Sequence, residues 1–142
     1  MYPLEAMNPR PLITSLALIL ITIAAGLALR LAPLGLPWLV SKYGGSMLWA
    51  LMIYWMVSTV LPRLRVAPAA GVAGAIATAV EFFKLYRSPG MDAFRLTLPG
   101  MLLLGRYFSA MDIAAYWAAI AAGALIDIRL RKYRAAEAAV KC

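Results

Sequence analysis

Glu81, Lys84, Arg87, Asp92, Arg95, Arg106 and Asp112 crowd into one stretch of the chain, and Arg30 closes an earlier apolar run. Glu81 and Asp112 are embedded in apolar sequence, where an ionised carboxylate is costly unless it is paired or faces a wet cavity. Two kinds of chemistry use such groups. Two carboxylates whose pKa values burial separates work as a general acid and base. Arginine forks hold phosphate or carboxylate groups. A carboxylate pair without a nucleophile or metal is a nonspecific sign of catalysis. The leading expectation is therefore a polar, ligand-binding pocket lined by Arg30, Glu81, Lys84, Arg95, Asp112 and Tyr116, with no residue assigned a catalytic role. The plainer alternative is that these charges neutralise one another and pin a connector to the end of a helix bundle. Lys84, one helical turn after Glu81, suits that role. Tyr116, one turn after Asp112, is spaced to hydrogen-bond that carboxylate or to face lipid.

The rest of the inventory excludes more than it offers. There is one cysteine, Cys142, and no histidine. A disulfide within the chain is impossible, and a zinc site or a Cys–His nucleophile lacks ligands. A haem or copper centre is disfavoured for the same reason, so no metal and no cofactor is expected. Ser46, Ser58 and Ser109 have no histidine or evident base beside them, which leaves a serine nucleophile unsupported. No glycine-rich phosphate loop lies between a strand and a helix.

The elements that position these residues follow from composition. Of 142 residues, 64% are hydrophobic and 14% charged, with a mean hydropathy of +0.81. Soluble domains are nearer half apolar and about a quarter charged, and a small soluble domain cannot hide this much apolar surface. The hydrophobicity is also blocky: long apolar runs alternate with short charged connectors, a pattern that a bilayer solvates. The net charge of +8 is the kind that orients membrane proteins and meets anionic lipid. Nucleic acid is not an expected partner, because no basic stretch interleaves with base-stacking aromatics in a polar domain.

The expected architecture is all-α: a single membrane domain over residues 1–142, built as a bundle of four transmembrane helices. The spans are placed at about 12–30, 46–61, 66–83 and 107–126, followed by a basic tail over 127–142 that continues as a helix along the membrane surface. A signal peptide is the rival reading of the first span. The apolar run from Leu12 to Leu29 exceeds a usual signal core, however, and leads into Arg30 rather than a cleavage site. Pro33, Gly35 and Pro37 break the chain after it. In the third span Gly71, Ala75 and Ala79 form one small-residue stripe and Ala70, Gly74 and Thr78 the adjacent one, which suits close helix packing in lipid. Ala115, Ala119 and Gly123 do the same in the fourth. Trp49, Tyr54 and Trp55 read as packing or lipid-facing aromatics. The apolar part of the segment between Lys84 and Phe108 is too short to span and is interrupted by Pro99-Gly100, so a short interfacial or re-entrant helix is expected there.

Four spans put Arg10, Arg63, Arg65, Arg129, Arg131, Lys132, Arg134 and Lys141 on one side. Arg30, Lys42, Lys84, Arg87, Arg95 and Arg106 fall on the other. Basic residues favour the cytoplasm, so both termini are placed there, in a multi-pass protein of the cell membrane. The polar cluster then lies on the non-cytoplasmic face.

The run Glu81-Phe-Phe-Lys-Leu-Tyr86, then Asp92-Ala-Phe-Arg95, Gly100, Leu104-Gly105, Phe108 and Asp112 to Tyr116, resembles a bacterial and archaeal membrane family, domain of unknown function 2809 (DUF2809). Gly26-Leu27, Arg30, Leu36-Pro37, Lys42-Tyr43, Gly45 and Leu48-Trp49-Ala50 fit it as well, so the resemblance extends over about residues 12–128. Two positions depart from the family pattern: Lys84 stands where Gln is usual, and Ser46 where Asp is frequent. The first turns a neutral partner of Glu81 into a cation. More distantly, the order of Glu, Gln, Arg and Asp between two late helices is similar to VanZ-like proteins of the cell envelope. That likeness implies a non-catalytic envelope module binding a lipid or a lipid-linked cell-wall precursor head group. The alternatives are a small oligomeric transporter or channel, assembled as a homo-oligomer through the small-residue faces, and a membrane-embedded enzyme using Glu81 and Asp112. A purely structural protein is the fourth.

Overall fold

The computed structural model describes residues 10–103 and 108–141. They form six helices in chain order: α1 (Leu12–Leu31), α2 (Trp38–Val60), α3 (Val66–Phe83), α4 (Pro89–Leu96), α5 (Leu98–Leu103) and α6 (Ala110–Lys141). No strand occurs among the described residues. Leu104, Gly105, Arg106, Tyr107 and Cys142 lie outside them, including the expected start of the last span.

Prolines set most of the breaks. A residue before proline is pushed out of the helical region by the ring. Ala32, before Pro33, is accordingly extended, and Leu61, before Pro62, leaves the helical region at the end of α2. Between α1 and α2 the chain turns through Gly35, whose φ of 67° lies in the left-handed region that glycine enters without steric cost. Ser88 caps α4, its Oγ accepting the Met91 N–H at 3.2 Å with Pro89 in the first turn. A Cβ on Gly100 would meet the Phe94 carbonyl oxygen, so only glycine lets the first turn of α5 close over the end of α4.

Two boundaries differ from the expected ones. The second helix starts at Trp38 rather than Ser46, because Gly44 and Gly45 do not break it. They thin it where α1 presses close: a Cβ on Gly44 would lie 3.1 Å from Leu29 Cδ1, and one on Gly45 2.8 Å from Arg30 Nε. The basic tail does not turn onto a surface of its own. It continues α6 as one 32-residue helix, about 48 Å long at 1.5 Å per residue. The single interfacial or re-entrant helix is replaced by two short ones, α4 and α5, parted by Thr97, whose Oγ1 accepts the Gly100 N–H at 3.2 Å.

By length and composition, α1, α3 and α6 are apolar enough to cross a membrane. With 23 residues, α2 matches them in length but carries Ser41, Lys42, Gly44, Gly45 and Ser46 in its first turns. It packs against α1, α3 and α6, and α6 also packs against α3. Ala50, Tyr54 and Trp55 from α2, Ala69, Ala73 and Ala77 from α3, and Ala119 and Ile120 from α6 form the core. Outward, α1 exposes Leu12, Ile13, Leu16, Leu20 and Ile21, the surface of a protein solvated by hydrocarbon.

The small-residue face of α3 is corrected in part. Gly71, Ala75 and Ala79 point outward, whereas the adjacent stripe of Ala70, Gly74 and Thr78 is buried or half-buried, and Ala69, Ala73 and Ala77 are buried beside it. All these residues are small, so packing alone does not choose between the stripes. Glu81 does: it stands four residues after Ala77, and turning it inward carries Ala77, Ala73 and Ala69 with it. Gly74 flanks that face under the Trp117 ring, whose Nε1 donates to Thr78 Oγ1 at 3.1 Å.

A second polar cluster, absent from the expectations, ties the opposite end of the bundle. Asp127 of α6 has no solvent exposure. Its Oδ1 lies 3.1 Å from Arg10 Nη1 and 3.0 Å from Arg131 Nε, and its Oδ2 accepts the Tyr54 hydroxyl. Arg10 also donates to Ser58 Oγ and lies over the Trp55 ring. Tyr54 was read as an aromatic packing residue, and Asp127 fell just beyond the expected span. The four-residue step from Asp127 to Arg131 was the available signal.

Two measurements check this packing. Gly74→Ala forces the Trp117 ring aside and should destabilise the detergent-solubilised protein by about 1–3 kcal/mol. Gly71→Ala, which meets nothing within 4 Å, should be neutral or slightly stabilising in the same thermal melt. Asp127→Ala strands two guanidinium groups and should cost about 3–5 kcal/mol in denaturant unfolding.

Candidate functional site

At the α1–α2 turn, several polar side chains meet where α1 ends and α2 and α6 begin. The centre is Glu81, near the C-terminal end of α3, with no solvent exposure. Its Oε2 accepts Lys84 Nζ at 2.6 Å and the Tyr116 hydroxyl at 2.7 Å, and its Oε1 accepts the Ser109 backbone N–H at 2.7 Å. Three donors from α3, α6 and the turn before α6 thus meet the lone pairs that hydrocarbon would leave empty. Ser109 also starts α6: its Oγ accepts the Asp112 N–H at 3.4 Å, the position of an N-cap. The Ser109-Ala-Met-Asp112 pattern was legible as that cap.

Asp112 is treated differently. It is 5% exposed, and the contact its carboxylate makes is with Ser46 Oγ of α2, at 3.4 Å. It sits in the first turn of α6, whose exposed N–H groups favour negative charge. None of the ion pairs among the described residues involves Asp112, Arg30 or Lys42.

These three residues line one cavity of about 700 Å³. Its polar wall also includes Ser46, Lys84, Ser109 and Tyr116. Leu34, Leu36, Trp49, Met101 and Phe108 supply an apolar wall. Arg30 reaches the cavity across the gap that Gly45 leaves. The Lys42 ammonium lies 5.0 Å from the Trp38 ring centre and 5.2 Å from that of Tyr43, which holds the cation against an aromatic corner. The Trp49 and Tyr116 rings pack at 5.3 Å beside Asp112.

Of the six residues expected at the site, Arg30, Lys84, Asp112 and Tyr116 line the cavity and Glu81 stands directly behind its wall. Arg95 does not join them. It is buried elsewhere, donating Nη1 to the Tyr86 carbonyl at 2.9 Å and Nη2 to the Phe83 carbonyl at 3.0 Å, with Asp92 at 3.5 Å. The Phe83 carbonyl ends α3, where it also accepts the Tyr86 N–H at 3.0 Å, and the Tyr86 carbonyl lies just beyond. Carbonyls there lack a full set of helical partners, and a guanidinium within reach along the chain meets them before it can cross to Asp112. Arg87 pairs with Asp92 on the exposed side, and Arg106 lies outside the described residues. Lys42, Ser109 and Trp49 were missed because helix register, not composition, points them inward.

Chemically, the arrangement presents two cations without an ion pair among the described residues, one carboxylate and an apolar wall within a single opening. Glu81 is saturated with hydrogen bonds and does not face the opening.

Comparison with known proteins follows this geometry closely. No solved structure matches the chain. A family model described as protein of unknown function (DUF2809) matches residues 35–120, a narrower stretch than the residues 12–128 expected. It takes in the cavity wall from Gly35 to Tyr116 and leaves Arg30 outside. The expected likeness to VanZ-like proteins is not borne out. Matched over more than half of its length, including most of the cavity wall, the chain belongs to the DUF2809 family of apolar-helix proteins.

Proposed function

We propose that this protein is a non-catalytic module of the cell membrane that binds the anionic head group of a lipid, or of a lipid-linked envelope precursor, in the cavity between α1, α2 and α6. The observation that carries this reading is the pair of cations, Arg30 and Lys42, that line the cavity with no carboxylate in ion-pair range among the described residues. An arginine fork and an ammonium at the mouth of an apolar-walled opening suit a phosphate attached to an alkyl chain. In this reading α2 is the fourth span, despite its polar first turns. The Arg10–Asp127 end, with the basic continuation of α6, faces the cytoplasm, and the cavity faces the other side.

Two rival readings have less support. An oligomeric transporter or channel would need its route between copies of the chain, since Ala50, Ala119 and Ile120 fill the layer between the two polar ends of one bundle. An enzyme using Glu81 and Asp112 needs both at the ligand, and Glu81 is enclosed by its three donors.

Native mass spectrometry of protein released gently from its own membrane tests the proposal. The wild type should retain an anionic amphiphile that the Arg30→Gln/Lys42→Gln double variant loses, with little change in melting temperature. Equal retention by both would overturn the head-group reading. Glu81→Gln should lower stability by about 1–3 kcal/mol, since it weakens acceptors of buried donors and leaves the Lys84 charge unmatched, while the retained species stays the same. Turnover of a labelled lipid that this substitution abolishes would replace the binding module by an enzyme.

A further inference from the structure

Arg30 and Lys42 account for an anion but leave Asp112 unexplained. Its carboxylate lines the same cavity, almost entirely withdrawn from solvent. Glu81, within the same group of residues, shows how such a carboxylate is satisfied here: a cation and two further donors meet it. Asp112 has the Ser46 hydroxyl at 3.4 Å. Lys84, which shares the cavity wall, is already engaged by Glu81 at 2.6 Å. Arg30 and Lys42 stand beyond ion-pair distance of Asp112, so the cavity holds opposite charges apart rather than collapsing them into a pair.

Separated charges of both signs are the complement of a zwitterion. Resting on the head-group reading above, we infer that the cavity takes a phosphoethanolamine group, with the phosphodiester at Arg30 and Lys42 and the primary ammonium at Asp112 and Ser46. A primary ammonium has three N–H donors, which match a carboxylate and a hydroxyl. A quaternary choline has none: it could offer its charge to Asp112 and to the Trp49 and Tyr116 rings, but no hydrogen bond. A glycerol head group ends in neutral hydroxyls, which can donate to Asp112 but leave its charge unmatched. The apolar wall of Leu34, Leu36, Met101 and Phe108 would meet the chain side of the ligand.

The test is a competition on the full-length protein in nanodiscs, read by native mass spectrometry. Phosphatidylethanolamine, phosphatidylcholine and phosphatidylglycerol with identical acyl chains are offered in equal amounts. The wild type should prefer the ethanolamine lipid over the choline lipid by about tenfold, the order of one charge-assisted hydrogen-bonded contact. In Asp112→Asn the ratio of ethanolamine to glycerol lipid bound should fall toward one. Soluble glycerophosphoethanolamine is added as a competitor. Displacement would assign the site to the free head group, and no displacement to the lipid, with the same chemistry in either case. Equal binding of ethanolamine and choline lipids by the wild type overturns the inference, whatever the fate of the variant. Preferential binding of the glycerol lipid overturns it while sparing the anionic head-group reading. Failure of all three to bind removes both.

Discussion

Glu81 places a carboxyl group where leaving it without partners is costly. It has no contact with solvent, the bundle around it is sheathed in apolar side chains, and an unsatisfied carboxylate there would cost several kcal/mol. Satisfying it requires Lys84 from the end of its own helix, Tyr116 from α6 and the Ser109 N–H from the turn that begins α6. That requirement rotates α3 so that Ala69, Ala73 and Ala77 face inward, and it holds the N-terminal turn of α6 against the end of α3. With α6 so placed, Asp112 comes to the cavity rather than to the lipid.

The far end of the bundle repeats the device with one more cation. One carboxylate, Asp127, holds two arginines and a tyrosine, drawing the start of α1, the end of α2 and the middle of α6 together. Between the two clusters the bundle is filled by the buried side chains of Ala50, Ala119 and Ile120. Removing either partner of a buried ion pair is costly because the other is left unpaired in a low-dielectric interior. Each cluster therefore specifies how helices meet at its end more than it adds net stability. This division matters for function. In the Asp127 cluster both arginines meet the one carboxylate, whereas at the cavity end Arg30, Lys42 and Asp112 form no ion pair among the described residues.

Much of the fold was legible. Apolar runs bounded by prolines located α1 and α3, and the breaks at Pro33 and Pro62 act through a steric clash with the preceding residue, which is local. The start of α2 was misplaced because glycine has two uses. Gly44 and Gly45 resemble a helix break in sequence, and only the approach of Leu29 and Arg30 shows that they thin a helix for close packing. At the site, the pairing of Glu81 with Lys84 and the candidacy of Arg30 and Asp112 came from spacing and from the cost of charge in hydrocarbon, whereas Tyr116, spaced to meet Asp112 or lipid, is buried and bonds Glu81 instead. Arg95 was misassigned because its alternatives, the Phe83 and Tyr86 carbonyls, belong to the backbone and leave no trace in residue types.

The sequence by itself determined that the chain forms apolar helices suited to a membrane, where they break, and which ionisable groups must find partners. Those properties depend on transfer energies and on steric effects between neighbouring residues. The tertiary structure alone decided which partners they find: Arg10 reaching Asp127, Tyr116 reaching Glu81, and Lys42 joining Arg30 around one opening. The first two pairs lie far apart in the chain, and the third spans the α1–α2 turn. They depend on the rotation of each helix about its own axis, which is set by the sum of all packing and hydrogen-bond demands at once and by no single segment.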